Sequence, residues 1–304
     1  MSLKVKAVSK DENECGVANT KMPTAIGDRV LNGMDIERGE WPWLVYVSIS
    51  TKKANGACTA TIISKRHLLT ASHCLNGLLQ DGKGVIKAVV GRINVNGTFG
   101  KGKTVIRAIV HPSVRKLDED GRRQFQLGAD IAILTLKEPL KFGPMVRKVC
   151  LASDFKEDVG EVAFTAGWGY QQNVAKEDYH GTAQETQIPF DSSQKCVDWA
   201  KAFDAKTKFL PEYFLCGGSY GRGTETGDSG GPVTQNVNGK WFQVGVTSYG
   251  EYQHNKKGRL FDVGAYARVS KACDWIERET EGEAKCISMK SAKGISAQKS
   301  LKNN

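Results

Sequence analysis

The most informative segment of the sequence is a short glycine-rich turn that presents a single hydroxyl group. Residues 227–232 read Gly-Asp-Ser-Gly-Gly-Pro. Glycine permits tight backbone conformations and close approach of another chain, so the N–H groups of Gly227 and Ser229 are candidate donors to a developing oxyanion. A serine hydroxyl is a weak nucleophile unless a base and an orienting group lie beside it. The alternative interpretation is an ordinary glycine-rich loop, so a nucleophilic Ser229 requires two partners elsewhere in the chain.

Two candidate partners lie upstream of this turn. His73 follows the mostly apolar residues 68–71 and directly precedes a cysteine, and Asp130 stands directly before the apolar run 131–134. Either residue alone is typical of a surface, core or turn position. The three residues follow the order His, Asp, Ser, which is one of the orders known for a Ser-His-Asp triad. The pattern predicts acyl transfer in which His73 is the general base and Asp130 orients its imidazole.

With these flanks the chain resembles the chymotrypsin-like (trypsin-fold) serine proteases from about residue 29 to residue 276. Residues 167–169, 248–250 and 266–269 stand where that family has similar segments. The resemblance implies an all-β fold of two packed antiparallel six-stranded β-barrels with a C-terminal α-helix. It also implies a serine endopeptidase that acts on protein or peptide substrates.

The predicted domain organisation follows from this resemblance and from the local pattern. Short β-branched runs between turn signals predict strands, in a first barrel over about residues 30–151 and a second over 152–268. Apolar residues at helical spacing predict a helix from about residue 270 to residue 280. We expect a pro-segment over residues 1–29, a protease domain over 30–280, and a basic, disordered tail over 281–304.

The junction after the pro-segment resembles an activation site. In the resembled family, cleavage after a basic residue frees a branched apolar N-terminus, whose ammonium pairs with the aspartate before the catalytic serine. Here those residues are Arg29, Val30 and Asp228. A buried carboxylate needs a cationic partner, so the pairing would order the Ser229 turn. We expect a zymogen; the alternative is that Arg29 is an ordinary surface arginine.

The eight cysteines match the family in part. Cys58–Cys74 and Cys196–Cys216 correspond to family bridges, and Cys15–Cys150 corresponds to the tether of members whose pro-segment stays attached. Cys273 and Cys286 match no expected bridge, and we interpret them as a local one.

Two family bridges are missing from this sequence. Glu225 stands where a cysteine supporting the specificity pocket is expected, and Ala163 and Gln235 occupy the positions of the second pair. Loss of a native bridge typically costs about 2–5 kcal/mol, so we expect looser pocket walls.

The specificity pocket is predicted from three glycines. In trypsin-like members an aspartate six residues before the catalytic serine anchors Lys or Arg, and here that position is Gly223. Gly250 and Gly264 stand at the pocket entrance and wall. An open pocket without that carboxylate predicts a large apolar P1 residue. Nearby charges leave other preferences open: Glu225 or Asp262 for a basic side chain, and Arg222 for an acidic one.

Composition and cysteine content indicate the compartment. The sequence of 304 residues has no run of about 18 apolar residues that predicts a membrane span. The first ten residues contain no apolar h-region, so no signal peptide is visible. Eight cysteines in a protease-like chain nevertheless favour an oxidising compartment, and we expect a secreted monomer. No cofactor is predicted, and no metal, since C-x₂-C pairs and histidine clusters are lacking.

The net charge of +10 is unevenly distributed. Residues 82–117 contain no Asp or Glu, and this strip also lacks the acidic ligands of a calcium loop. Its charges indicate either solvated strand edges or a surface for a polyanion or an acidic substrate. Within it, Asn96-Gly97-Thr98 is an N-glycosylation sequon. The basic residues of the strip are Lys83, Lys87, Arg92, Lys101, Lys103, Arg107, Arg115 and Lys116.

A function from a different class remains open at this point. The basic strip, the missing bridges and the altered pocket floor also suit a catalytically inactive protease homologue that acts as a binding or adaptor protein. The complete triad, the oxyanion segment and the activation site favour the protease. As a protease it would have an activating protease and protein inhibitors as partners.

Overall fold

A computed structural model describes the residue ranges 14–19, 33–76, 78, 83–115, 128–169, 181–203, 210–219, 223–254 and 260–290. The predicted activation residues Arg29 and Val30 lie outside the described residues, as do residues 291–304.

Six antiparallel strands close into the first barrel in the order β2-β3-β4-β7-β6-β5. β-Branched and aliphatic side chains suit a pleated, half-buried surface, and Val45, Ala60, Leu68 and Leu134 are fully buried. Closure leaves no unpaired sheet edge. The strands are β2 (Leu44–Thr51), β3 (Asn55–Ile62), β4 (His67–Thr70), β5 (Gly84–Val90), β6 (Lys103–Val110) and β7 (Ala132–Leu136).

A second ring of six strands closes in the order β12-β9-β10-β11-β14-β13, with β13 pairing back to β12. The two six-stranded barrels confirm the predicted fold class. Phe190, Leu215 and Phe242 are buried in the core of this half. The strands are β9 (Val162–Gly167), β10 (Gln184–Asp191), β11 (Phe214–Gly217), β12 (Pro232–Val237), β13 (Lys240–His254) and β14 (Leu260–Arg268).

Two short strands extend the second barrel. β1 (Met34–Asp35) pairs with β10, and β8 (Cys150–Ala152) runs parallel to β13. β1 is the first described element after the predicted activation site.

Two α-helices lie in the described part of the second half. Helix α1 (Ser193–Phe203) was not predicted, although Cys196, Val197 and Ala200 give it a buried face at helical spacing. Helix α2 (Cys273–Glu279) follows a 3-10 turn and buries Trp275 and Ile276, which agrees with the helix expected near residues 270–280. Across the described residues, neither helix is long and apolar enough to cross a membrane.

The predicted disorder of the tail from residue 281 is wrong as far as residue 290. β15 (Cys286–Ile287) pairs in parallel with β8. The Asp154 carboxylate accepts hydrogen bonds from Ser288 Oγ at 2.5 Å and from Met289 N at 2.8 Å. A disulfide and backbone pairing hold residues 281–290 in place, although this segment has too few apolar residues to form a core of its own.

Four disulfides cross-link the fold. The pairs are Cys15–Cys150, Cys58–Cys74, Cys196–Cys216 and Cys273–Cys286. They are the three pairs implied by the resemblance and the local pair inferred from the terminal cysteines. Through Cys15 and Cys150, residues 14–19 are attached covalently to β8.

Candidate active site

The histidine candidate lies in the turn that follows strand β4 of the first barrel. β4 ends at Thr70, and His73 begins the 3-10 turn His73–Leu75. The Cys58–Cys74 bridge ties this turn to β3. Because the turn is anchored on both sides, the imidazole projects from a fixed backbone, and its side chain remains 28% exposed.

The aspartate candidate lies behind this imidazole. Asp130 precedes β7, and its side chain is 1% exposed. Its Oδ2 atom is 2.7 Å from His73 Nδ1, and its Oδ1 atom accepts a hydrogen bond from His73 N at 2.9 Å. A third donor, Ser248 Oγ, lies 2.6 Å from Oδ2. The carboxylate thus orients both the ring and the backbone of His73.

The pKa values of this pair are shifted in opposite directions. Burial lowers the pKa of His73, but the charge of Asp130 and the hydrogen bond to it outweigh burial and raise the pKa above its ordinary value. Burial raises the pKa of Asp130, but the charge of His73 and the hydrogen bonds from His73 and Ser248 hold it below its ordinary value. Asp130 is therefore charged at neutral pH, and it favours the imidazolium form of His73.

The Ser229 turn is fastened to both barrels. Thr59 on β3 donates its backbone N–H to Ser229 O at 2.8 Å and its hydroxyl to Gly227 O at 3.0 Å. From the second barrel, Thr247 O accepts the N–H of Gly230 at 2.8 Å. The serine therefore stands at the junction of the barrels, and its turn is hydrogen-bonded to both of them.

Gly227 and Ser229 have the backbone properties expected of oxyanion donors. Gly227 has φ +107°, and a Cβ atom there would lie 2.8 Å from Trp168 O. Within the part of the chain that the structure describes, the N–H groups of Asp228 and Gly231 find backbone acceptors, whereas those of Gly227 and Ser229 find none. Such N–H groups remain available to a substrate oxygen.

Asp228 turns away from the serine into the protein. Its Oδ1 accepts the N–H of Gly169 at 2.7 Å, and its Oδ2 accepts the N–H of Glu225 at 2.9 Å. A Cβ atom on Gly169 would lie 2.4 Å from Oδ2, so the close approach requires glycine. Burial raises the pKa of Asp228 to about 6, although the two backbone hydrogen bonds oppose it. A buried carboxylate of this kind is stabilised by a cation.

His73, Asp130 and Ser229 line one cavity of about 340 Å³. This volume lies in the usual range for ligand pockets. The wall beyond the serine is mostly polar. Its aromatic residue is Tyr249, whose ring stacks on that of Trp199 with 5.6 Å between the ring centroids. The remaining lining residues are Thr224, Glu225, Thr226, Thr247, Ser248 and Gly250. The cavity brings together a hydroxyl, an imidazole and a buried carboxylate, the groups that nucleophilic acyl transfer requires.

Comparison with known proteins agrees with this geometry. Residues 30–276 match the family model described as Trypsin. The chain belongs to the trypsin family. It is 27% identical over 266 residues to coagulation factor XI of Bos taurus, an alignment that covers 85% of this chain and 39% of the relative. It is 28% identical over 282 residues to the serine proteinase stubble of Drosophila melanogaster, covering 90% and 33% respectively. This chain thus spans only about a third to two fifths of these relatives.

The predicted pocket glycines of this trypsin-family chain are not equivalent in the structure. Gly250 lines the cavity, whereas the described lining includes neither Gly223 nor Gly264. A Cβ atom on Gly264 would lie 2.3 Å from the hydroxyl oxygen of the buried Tyr266. That position is therefore small because Tyr266 fills the adjacent space. In the segment 223–226, the residues that line the cavity are Thr224, Glu225 and Thr226.

Sequence reasoning missed the role of Ser248. The segment 248–250 indicated only the family, and nothing in its residue types pointed to Asp130, from which Ser248 is separated by 118 positions. Tyr249 was missed as a wall of the cavity for the same reason.

Two further predicted features of this trypsin-family chain can be located. Asn96 is exposed, and the Thr98 hydroxyl of its sequon donates to Val95 O at 2.6 Å; glycosylation of Asn96 stays a prediction. Among the described residues, no cluster of His, Cys, Asp or Glu could hold a metal ion.

Proposed function

We propose that the protein is a serine endopeptidase that hydrolyses peptide bonds through an acyl-enzyme. Ser229 attacks the scissile carbonyl while His73 takes its proton and later gives it to the leaving amine. Asp130 holds the imidazole in one tautomer and stabilises the imidazolium. The N–H groups of Gly227 and Ser229 stabilise the oxyanion. The observation that carries this proposal is the Asp130 carboxylate bonded to both the ring and the backbone of His73, in a cavity shared with Ser229.

We further propose that the full chain is a zymogen activated by cleavage after Arg29. The buried Asp228 carboxylate supports this, because burial disfavours its charged form and a new ammonium group at Val30 would restore it. The Cys15–Cys150 bridge would keep the released pro-segment attached to the enzyme. An activating protease and protein inhibitors are then the expected partners, beside protein substrates.

The proposed P1 preference is a large apolar side chain. It rests on Gly223, which leaves no carboxylate at the position where trypsin-like members carry one. Hydrolysis of matched peptides with Phe or Arg at P1 tests it, and faster cleavage after Phe is expected. Equal or faster cleavage after Arg would overturn this preference. It would indicate that Glu225, which lines the same cavity, binds the arginine side chain of the substrate.

The four disulfides also support secretion, since such bridges persist in oxidising compartments. We therefore propose an extracellular enzyme, acting as a monomer. Co-localisation with the secreted fraction of expressing cells, with disulfides intact by mass spectrometry, is the expected result.

The proposed activity is tested by labelling Ser229 with a fluorophosphonate, before and after limited cleavage by trypsin. N-terminal sequencing of the product identifies the new terminus. Labelling that appears only after cleavage at Arg29, and is absent in Ser229→Ala, is the expected result. A new Val30 terminus without labelling would contradict the protease and would favour the inactive adaptor.

A further inference from the structure

Two carboxyl groups are buried close to strand β1. Glu40 is 5% exposed, and Glu185 on β10 is 6% exposed. Glu185 accepts the indole N–H of Trp41 at 2.5 Å, and Glu40 accepts the backbone N–H of Glu37 at 2.6 Å. Among the described residues, neither of these two carboxyl groups forms an ion pair. A buried carboxylate without a cation is costly, so both groups favour the protonated form.

The pKa values of both groups reflect this burial. Burial raises the pKa of Glu185 to about 7; the hydrogen bond from Trp41 opposes the rise, and the charge of Glu40 adds to it. Burial also raises the pKa of Glu40, against the hydrogen bond from the Glu37 backbone and with a contribution from the charge of Glu37. Glu185 therefore changes its charge in the neutral pH range, where an ordinary glutamate is fully ionised.

Few other charged groups lie on the segments packed against Glu185. Strand β9, which pairs with β10 at this point, has no titratable residue. Asp228 lies against Gly167 at the end of β9. Ionisation of Glu185 thus adds a negative charge near other carboxyl groups, and these segments hold no buried cation to offset it. The charged residues of the neighbouring segments 34–41 and 92–95 are Asp35, Glu37, Arg38, Glu40 and Arg92, of which Glu40 alone is buried.

Strand β1 lies beside the Glu185 side chain. Met34 of β1 pairs directly with Glu185. Directly opposed residues of an antiparallel pair place their side chains on the same face, so the Met34 side chain shields that of Glu185 from water. The two-residue strand and the hydrogen bond from Ile36 N to Ala183 O at 3.1 Å hold this part of the chain on β10. A segment with so few hydrogen bonds can open locally, and opening would give the Glu185 carboxyl access to water.

We propose that Glu185 is a positioning residue, which holds β1 on β10 while its carboxyl is protonated and releases β1 when the proton passes to solvent. The ionised carboxylate is poorly hydrated beneath β1, and opening of the strand restores its hydration. The open form binds fewer protons than the closed form at neutral pH. The open fraction should therefore rise with pH from about 4.5, the ordinary pKa of the group, and level off above about 7.

Strand β1 also lies close to the carboxylate that the proposed activation requires. Gly167 on β9 pairs with β10, and a Cβ atom on Gly167 would lie 2.3 Å from Asp228 Oδ1. Met34 follows Val30 by four positions (34 − 30). After cleavage at Arg29, β1 would be the strand that holds the new terminus near Asp228. This effect on the active site rests on the proposed function, whereas the opening of β1 does not.

The opening of β1 is measured by hydrogen exchange of the full-length, uncleaved Ser229→Ala protein, so the outcome does not depend on turnover. Rates are expressed as protection factors, which removes the pH dependence of the exchange chemistry itself. Protection of the backbone amides at positions 34–36 should fall by about tenfold or more between pH 5 and pH 8. Glu185→Gln, whose amide resembles the protonated acid, should remove most of this fall.

Two further variants make this measurement specific. Glu40→Gln removes the charge that adds to the pKa of Glu185, so the fall in protection should be smaller and should end at a lower pH. It also provides a second test that does not require Glu185→Gln to fold. Glu161 is an exposed glutamate of the second barrel, and Glu161→Gln should show the same fall as the protein without this change.

The consequence for the active site is measured after cleavage at Arg29, with Ser229 present. Fluorophosphonate labelling at pH 8 should be at least about twofold faster in Glu185→Gln than in the unmodified enzyme, because β1 opens less often in the variant. The two rates should converge at pH 5.5, where Glu185 is protonated in the folded enzyme. Labelling of Glu161→Gln should match that of the unmodified enzyme at both pH values.

Three results would overturn the proposal. Protection at positions 34–36 could be independent of pH, it could fall equally in Glu185→Gln, or the cleaved enzyme and its Glu185→Gln variant could be labelled at equal rates at pH 8. A cleaved protein that is not labelled at any pH, while Glu185 still governs the protection of β1, would instead contradict the protease and leave the proton-dependent opening of β1 standing.

Discussion

Ser248 donates its hydroxyl to Oδ2 of Asp130 at 2.6 Å, the same oxygen that faces His73 Nδ1 at 2.7 Å. The two residues come from different barrels, since Asp130 precedes β7 and Ser248 lies on β13. The buried carboxylate therefore receives donors from both halves of the molecule. Its position relative to the imidazole depends on how the barrels are joined.

Replacement of Ser248 by Ala should reduce kcat/KM by roughly ten- to one-hundred-fold. A hydrogen bond to a charged group contributes about 1.5–3 kcal/mol, and Asp130 would lose one of its donors in a buried site. Steady-state kinetics of the activated enzyme measure the effect. Ser153→Ala, at an exposed position of the second half, serves as the control, and an unchanged rate in Ser248→Ala would show that this bond does not support the triad.

The rate should fall in acid with a midpoint above pH 6.5. The base must be neutral, and the Asp130 carboxylate raises the pKa of His73 above its ordinary value of 6.5 despite burial. In Asp130→Asn the burial remains but the negative charge is gone, so the midpoint should move to lower pH. The pH dependence of kcat/KM provides the measurement. A midpoint that stays in place in Asp130→Asn would contradict this coupling.

Replacement of Asp228 by Asn should allow cleavage after Arg29 but prevent activation. The amide cannot form an ion pair with the Val30 ammonium, so the Ser229 turn would stay as it is in the uncleaved chain. Fluorophosphonate labelling of cleaved Asp228→Asn should remain at the level of the uncleaved protein. The exposed Asp158→Asn should label normally, and full labelling of Asp228→Asn would exclude the proposed pairing.

Glu185 should make the fold less stable as the pH rises from about 4.5 to 7. Burial raises its pKa from 4.5 to about 7, helped by the charge of Glu40, although Trp41 Nε1 donates to its Oε2 at 2.5 Å. The folded state thus keeps a proton that the unfolded chain has released, and stability present below pH 4.5 is lost towards pH 7, by roughly 3 kcal/mol.

Glu185→Gln keeps an acceptor for Trp41 without the charge. Its free energy of unfolding near pH 8 should exceed that of the unmodified protein, and the slope between pH 5 and 7 should become smaller. Urea unfolding at several pH values measures both. The exposed Glu161→Gln should retain the original slope, and an identical slope in Glu185→Gln would refute the assignment.

Removal of the terminal bridge by the double variant Cys273→Ser, Cys286→Ser should destabilise the fold by about 3 kcal/mol, as expected for a loop of this length. Hydrogen exchange at β15 should become faster, because the strand would be held to β8 by its ladder and the Asp154 bonds alone. Hydrolysis of a short ester should be retained. Unchanged exchange of the backbone amides at positions 286 and 287 would show that the bridge is dispensable for this segment.

The sequence by itself determined the family and the fold class. His73, Asp130 and Ser229 stand in local flanks that are specific enough to identify the family. Runs of β-branched residues between turns predict strands, whether one or both faces of the strand are buried. Both signals are local, so they can be read without knowing which distant residues pack against them. The helix 273–279 was likewise predictable, since its buried face repeats within a few residues.

Only the tertiary structure decided the contacts between distant residues. The Ser248–Asp130 bond, the Gly264 position filled by Tyr266, the raised pKa of Glu185 and the ordered segment from residue 281 to residue 290 each depend on groups brought together by folding. Composition indicated disorder for that last segment. Composition alone does not show that a disulfide and a neighbouring strand hold the segment in place. Hydrogen bonding and desolvation act over a few ångströms in space, and the order of residues along a chain does not specify those distances.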